Sequence, residues 1–335
     1  MKRLGNITKG GPVACAFVSL VIIAALLTAC GSSSSPAPSA KKKWTIGFAN
    51  YNNTLEFMSR VQASIDKTAK EKGVDLVIAD NKADADTALS NADLMVTRKV
   101  DLFINYQGVA RVQPAIMEKM NAAKIPMIAV FVGAPGALSH YGADDPTVGR
   151  QGGEFLGEYA KKNWGGKAIV ALLGAPKAGD AMKARMDGYR EGIKKVLPNL
   201  ADSDFYDLDG DVSPEKSMNA IQAFLTAHPK DKVLIAGGND PMAEGAAAGV
   251  EAAGRSADAA IVGQGGHYSS LSLIKKPNSA YKGTVNYNAE GYGPDLLSMS
   301  LDFLDKGTKP APRTFPKTEV VTTDNVDKFL PADKK

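Results

Sequence analysis

From Trp44 onward, short apolar runs alternate with amphipathic stretches of helical length. The spacing predicts strands over 44–49, 74–79, 101–105 and 126–131, with helices over 55–72, 83–99 and 110–123 between them. Gly73, Asp80 and Asn105 punctuate the ends of these elements. After Asp144-Asp145-Pro146 the rhythm restarts. Helices are expected over 147–163, 181–197, 214–227, 242–253 and 293–306, and strands over 167–173, 203–208, 232–236, 259–262, 282–286 and 319–322. Ser213 and Pro214 form an N-cap and first-turn pair for one of these helices. Strands of five or six residues separated by helices are βαβ units, which demand parallel sheets with right-handed crossovers. Two half-size runs in succession point to an α/β protein of two similar lobes.

The first 43 residues do not share this pattern. Lys2, Arg3 and Lys9 precede an apolar stretch over 13–27, and Leu27-Thr28-Ala29-Cys30 follows. A basic start, an apolar core of about 15 residues and small residues before the cut describe an export signal over 1–29. That core is short for a bilayer span, which takes about 20 residues. Leu-Thr-Ala-Cys resembles the bacterial lipobox, in which the cysteine sulfur takes a diacylglycerol, so Cys30 is expected to be lipidated. Residues 30–43 hold no large apolar side chain and read as a flexible tether.

Composition narrows the rest. Of two cysteines, Cys15 belongs to the signal and Cys30 to the anchor, which leaves the folded part without a thiol for disulfides or metal. Three of the four net positive charges belong to the signal. Setting Lys41, Lys42 and Lys43 aside brings the lobes to about −2, which gives nucleic acid no basic surface. Roughly 290 residues exceed one comfortable core and suit two domains.

In open parallel sheets, ligands bind beyond the carboxyl ends of the strands. The residues there are Asn50–Asn53, Asn105–Gln107, Phe131–Gly133, Gly174–Lys177, Gly237–Asp240, Gln264–His267 and Asn286–Asn288. They are rich in amides and poor in acids. An amide both donates and accepts, as a hydroxyl does, so this set suits a neutral polyhydroxy ligand.

With these pieces in order, the chain resembles the ribose/galactose group of type I periplasmic sugar-binding proteins from Trp44 to about Thr323. The resemblance rests on Asn52-Asn53, Leu102-Phe103-Ile104-Asn105, Lys124-Ile125-Pro126-Met127-Ile128, Gly149 with Gly152-Gly153, Arg185 with Gly188-Tyr189, Thr226-Ala227-His228-Pro229, and the run Gly237 to Ala243. It implies two Rossmann-like lobes with parallel sheets joined by a three-strand hinge, over 44–143 with 288–318 and 144–287 with 319–330. Residues 331–335 are left as a tail. It also implies Asn53, Asn105, Arg185 and Asn239 as ligand hydrogen-bonders, the guanidinium forking to neighbouring hydroxyls. Three alternatives stay open: Asn53 or Asn239 as a helix cap, and Arg185 as a surface residue.

The departures concern the ligand. Where the family presents Asp-Arg after the fourth strand, this chain has Phe131-Val132. Gln264 stands where the family has an Asp, and Glu56 stands among positions where it has aromatic rings. Phe131 and Tyr287 can cover an apolar ligand face. With two carboxylates missing, the expected ligand is a polyol, cyclitol or uncommon sugar.

The resemblance implies a monomeric receptor outside the cytoplasm, anchored to the membrane by lipid, that closes at hinges near 143–145, 286–288 and 316–319. It would deliver its ligand to the permease of an ABC importer. A sensor presenting the same closed form to a chemoreceptor or receptor kinase is the alternative. His140, His228 and His267 lie too far apart in sequence for a metal motif. No G-x-S-x-G elbow or phosphate-binding glycine loop occurs. Glu56, Asp144 and Asp240 stand at strand ends as a glycosidase pair would, but Asp240 begins a helix and Asp144 sits at the lobe crossover. Neither catalysis nor a cofactor is expected.

Overall fold

The computed structural model describes residues 42–331. The expected signal segment, Cys30 and all of the tether but Lys42 and Lys43 lie outside the described residues, as does the tail beyond Pro331.

Two sheets share one winding. The first is built from β1 (Thr45–Asn50), β2 (Asp75–Asp80), β3 (Leu102–Gln107), β4 (Met127–Phe131), β5 (Ser139–Tyr141) and, from far down the chain, β11 (Arg313–Thr314). The second comprises β6 (Ile169–Gly174), β7 (Phe205–Asp209), β8 (Val233–Gly237), β9 (Ala259–Gly265), β10 (Tyr281–Asn286) and β12 (Glu319–Thr322). Their strand orders, β2-β1-β3-β4-β5-β11 and β7-β6-β8-β9-β10-β12, are the same wind executed twice. Every pairing is parallel except β10 with β12, which is antiparallel. The chain passes between the sheets after β5, after β10 and after β11. These three passages make the hinge of a two-lobed α/β protein.

Burial on both faces dictates the first sheet's composition. Ile46, Phe48, Leu102, Ile104, Ile128 and Val130 face one core with α1 (Glu56–Lys72) and α9 (Tyr292–Lys306). The alternating residues Ala49, Phe103, Met127 and Ala129 face another with α2 (Ala85–Thr97) and α3 (Gln113–Ala123). A strand covered on both faces needs apolar side chains at both parities. Helix α1 buries Phe57, Val61, Ile65 and Ala69, one per turn, and stops at Gly73, whose φ of 68° suits the left-handed C-cap.

In the second lobe, α4 (Asp145–Trp164) and α5 (Asp180–Val196) pack unusually close. A Cβ at Gly149 would lie 2.2 Å from the Arg185 carbonyl oxygen, and one at Gly188 would lie 2.4 Å from that of Pro146. Helices α6 (Pro214–Ala227), α7 (Asp240–Ala252) and α8 (Tyr268–Lys275) complete the lobe. Strands β5 and β11 and helix α8 have no counterpart in the sequence-derived elements, and β9 runs three residues further than expected. Among the described residues no helix is long and apolar enough to cross a membrane.

Candidate functional site

The carboxyl ends of the two sheets meet. After β1, the first turn of α1 carries Glu56, which accepts from the Tyr268 main-chain N–H, just beyond β9, at 2.5 Å. One residue on, Phe57 makes an edge contact of 6.2 Å with Tyr287, which follows β10. The strand order reverses between β1 and β3 in one sheet and between β6 and β8 in the other, the places where such folds bind ligands.

A row of rings runs from Phe131 through the first-lobe core to the hinge. Phe131 lies 6.1 Å from Tyr106, Tyr106 6.3 Å from Tyr292, and Tyr292 5.6 Å from Phe57. Tyr287 ends the row, and its ring is 5.7 Å from the Arg185 guanidinium. Thus Phe131, Tyr287 and Arg185, distant in sequence, are linked by one row of ring contacts whose inner members Tyr106, Tyr292 and Phe57 are buried. Phe131 is 45% exposed and has a φ of 71°, a left-handed conformation that costs a bulky residue about 1–3 kcal/mol. His140 holds it there. The Phe131 carbonyl accepts from His140 Nε2 at 3.0 Å, and because a carbonyl only accepts, that nitrogen carries the proton. Burial lowers the His140 pKa, with Arg313 adding to this and the Phe131 bond opposing it.

Arg185 enters from α5 and is nearly buried. Its Nε and Nη2 donate to Asp145 Oδ1 at 3.1 and 2.5 Å, and Nη1 donates to the Gly238 carbonyl at 2.5 Å. It is therefore no surface arginine. Asp145 lies just past the first interlobe passage, so the guanidinium is braced at the hinge. The next residue after Gly238 is Asn239, which caps α7 by accepting from the Met242 N–H at 2.9 Å. Capping occupies the oxygen; the amide nitrogen has no partner among the described residues.

The other amides are more committed. Asn105 accepts from Asn81 and donates to Gln113 Oε1 at 3.0 Å, inside the first lobe. Asn53 accepts from Asn50 at 2.7 Å and does not cap α1, whose N-cap is Leu55. Gln264 accepts from the Tyr287 hydroxyl at 2.9 Å and donates to the Val148 carbonyl at 3.0 Å. An amide oxygen has two lone pairs and an amide nitrogen two protons, so these bonds do not exhaust each group.

Two residues of the strand-end set, not singled out as ligand-binders from sequence, are deeply placed. Gln107, at the end of β3, is fully buried; its Oε1 accepts the Gly108 and Val109 N–H groups, and its Nε2 has no partner. Asp240, also fully buried, accepts from the N–H groups of Gly266 and His267 and from the hydroxyls of Tyr281 and Thr284 at 2.6 to 2.8 Å. Four donors around one carboxylate fix the turn after β9. Among the described residues, no group of three or more His, Cys, Asp or Glu side chains is placed to hold a metal.

These features define a two-lobed binding protein. The family model described as a periplasmic binding protein domain matches residues 46–309, and the chain belongs to that family. It is 30% identical over 244 residues to the ribose import binding protein RbsB of Salmonella typhimurium, covering 72% of this chain and 79% of that one. Two solved solute-binding proteins share its fold. One, from Actinobacillus succinogenes with bound D-allose, has a TM-score of 0.74 at 21% identity, covering 85% of this chain and all of the other. The second, from Bacillus halodurans with bound myo-inositol, has a TM-score of 0.71 at 19% identity, covering 89% of this chain and all of the other. The architecture is that of the type I periplasmic sugar-binding proteins.

Proposed function

We propose that this protein is the extracytoplasmic receptor of an ABC importer, and that it captures a small neutral polyol, cyclitol or uncommon sugar between its lobes. The observation that carries this reading is the junction of strand ends. Phe131 and Tyr287, at the two ends of the ring row, offer apolar faces, Arg185 offers a fixed fork beside Tyr287, and the amides of Asn239 and Gln107 bring unspent donors. Aromatic faces cover the C–H side of a sugar or cyclitol, while forks and amides take its hydroxyls. Asn53, Glu56, Asn105 and Gln264 complete the proposed set. A relative that is an import binding protein favours transport over sensing.

The proposed lobes are 44–143 with 288–318 and 144–287 with 319–330, each moving as a rigid unit about the three passages. Ligand that touches both lobes shifts the population toward the closed state. The same reading includes a lipid anchor on Cys30 and a monomeric receptor. Palmitate label should enter the wild type and be lost in Cys30→Ser; equal labelling of both would refute the anchor.

A thermal-shift screen with ribose, D-allose, xylitol and myo-inositol tests the ligand class. A ligand at a hundred times its Kd adds about 2.7 kcal/mol of stability. At least one compound should raise Tm by several degrees, while amino acids should not. A shift with amino acids alone would overturn the assignment.

A further inference from the structure

One rim of the junction is closed by contacts between protein groups, built on α1. Glu56 and Arg60 stand four residues apart on one face of that helix. The Arg60 side chain is only 10% exposed. Its Nε and Nη2 donate to the two carboxylate oxygens of Glu290 at 2.9 and 3.0 Å, and its Nη1 donates to the Gly266 carbonyl at 2.6 Å. The guanidinium also lies 4.0 Å over the Tyr268 ring. Glu56 takes the Tyr268 N–H, and the Tyr268 hydroxyl reaches Glu290 at 3.2 Å. Gly266 and Tyr268 belong to the turn after β9. Glu56 and Arg60 belong to α1, and Glu290 to the one-turn 3-10 helix (Ala289–Gly291) that leads into α9. Arg60 to Gly266, Tyr268 to Glu56 and Tyr268 to Glu290 therefore all cross between the lobes.

We propose that Arg60 is the centre of a clasp that sets how tightly the receptor holds its ligand, by stabilising the closed arrangement through contacts the ligand does not make. The inference deepens the receptor reading above and rests on it. Both halves of the clasp are preorganised. Glu290 fixes the plane of the guanidinium with a two-pronged bond, the geometry that costs Arg least freedom. On the other side, Asp240 grips the Gly266 and His267 N–H groups, so the Gly266 carbonyl is held in place to accept. The Glu56 bond has a special standing. Tyr268 is the first residue of α8, and an N–H in the first turn of a helix has no acceptor within that helix. Its partner comes from the other lobe, and a carboxylate at a helix N-terminus is favourable in itself. Protection of that one amide therefore reports lobe-to-lobe contact.

Residue-resolved amide hydrogen exchange on the detergent-purified full chain, with no sugar added, tests the clasp. In the wild type, the Tyr268 amide should be protected. In Arg60→Ala, which leaves Glu56 in place, it should exchange about tenfold faster or more, the worth of a charged hydrogen bond. The Ile261 amide, bonded within the sheet to the Ala280 carbonyl at 2.8 Å, should keep its wild-type rate. Glu290→Gln should accelerate Tyr268 in the same direction by less. An unprotected Tyr268 amide in the wild type, or an unchanged rate in Arg60→Ala, overturns the proposal. If Ile261 also accelerates in Arg60→Ala, Glu290→Gln decides, and an unchanged Tyr268 rate there overturns it. Failure of every sugar in the thermal screen would leave this exchange result intact, so the clasp and the ligand assignment fail separately.

Discussion

At the scale of single residues, Asp240 shows how a buried charge is made tolerable. Its Oδ2 faces two main-chain N–H groups that cannot turn away, and its Oδ1 faces two hydroxyls that can. Asp240→Asn can point its oxygen at the main chain and its nitrogen at the hydroxyls, which rotate to accept. That substitution should lower the unfolding free energy by only about 1 kcal/mol, while Asp240→Ala strands four buried donors and should cost about 4 kcal/mol. Urea unfolding of the two variants checks this; equal losses would contradict it. The sequence placed Asp240 at a strand end and among candidate acids but could not show its buried role, since its four donors come from residues 26 to 44 positions away. Arg185 was legible through its Gly188-Tyr189 context, and Asn239 through the run around it. Arg60 was not. Four residues after Glu56 it looks like half of an ordinary surface pair, and only the fold supplies Gly266 and Glu290.

At the scale of elements, the hydrophobic rhythm located every long helix and nearly every strand, because each buries a full face with a fixed period. It missed β5 and β11, which have three residues and two, too few to express a period. It also missed α8, an eight-residue helix of mixed serine and leucine that stands on partners from outside itself. The glycines of α4 and α5 belong at this scale too. They let two helices touch backbone to backbone, and that contact sets the position of Arg185, one turn before Gly188. Gly188→Ala would place a methyl against the Pro146 carbonyl and has nowhere to go without parting the helices. It should lower stability by about 1–3 kcal/mol, the usual cost of overpacking, and weaken ligand binding as Arg185 leaves Asp145. Unfolding and binding measured on one preparation test this, and unchanged values in both would refute the packing argument.

At the scale of the molecule, two copies of one winding, three passages and a junction of strand ends add up to a hinged receptor. The sequence made the two lobes and the amide-rich junction readable, because both follow from local pattern and from where strands end. It could not show that Phe131 is held in a left-handed conformation by His140, or that rings from four separate segments form one row. Those are consequences of register: Gln107 pairs with Phe131, and that pairing sets Tyr106 beside the ring. The central claim is that a neutral polyhydroxy compound sits against the ends of this row with Arg185 beside it. Isothermal titration of the full chain with the compound that gives the largest thermal shift, on wild type and Arg185→Ala, tests it most directly. The expected result is one site per chain in the wild type and an affinity at least about tenfold weaker in the variant, as for loss of a hydrogen bond to a charged group. Equal affinity in the two proteins would contradict the site, and saturable binding of a charged amino acid in place of any sugar or polyol would contradict the function.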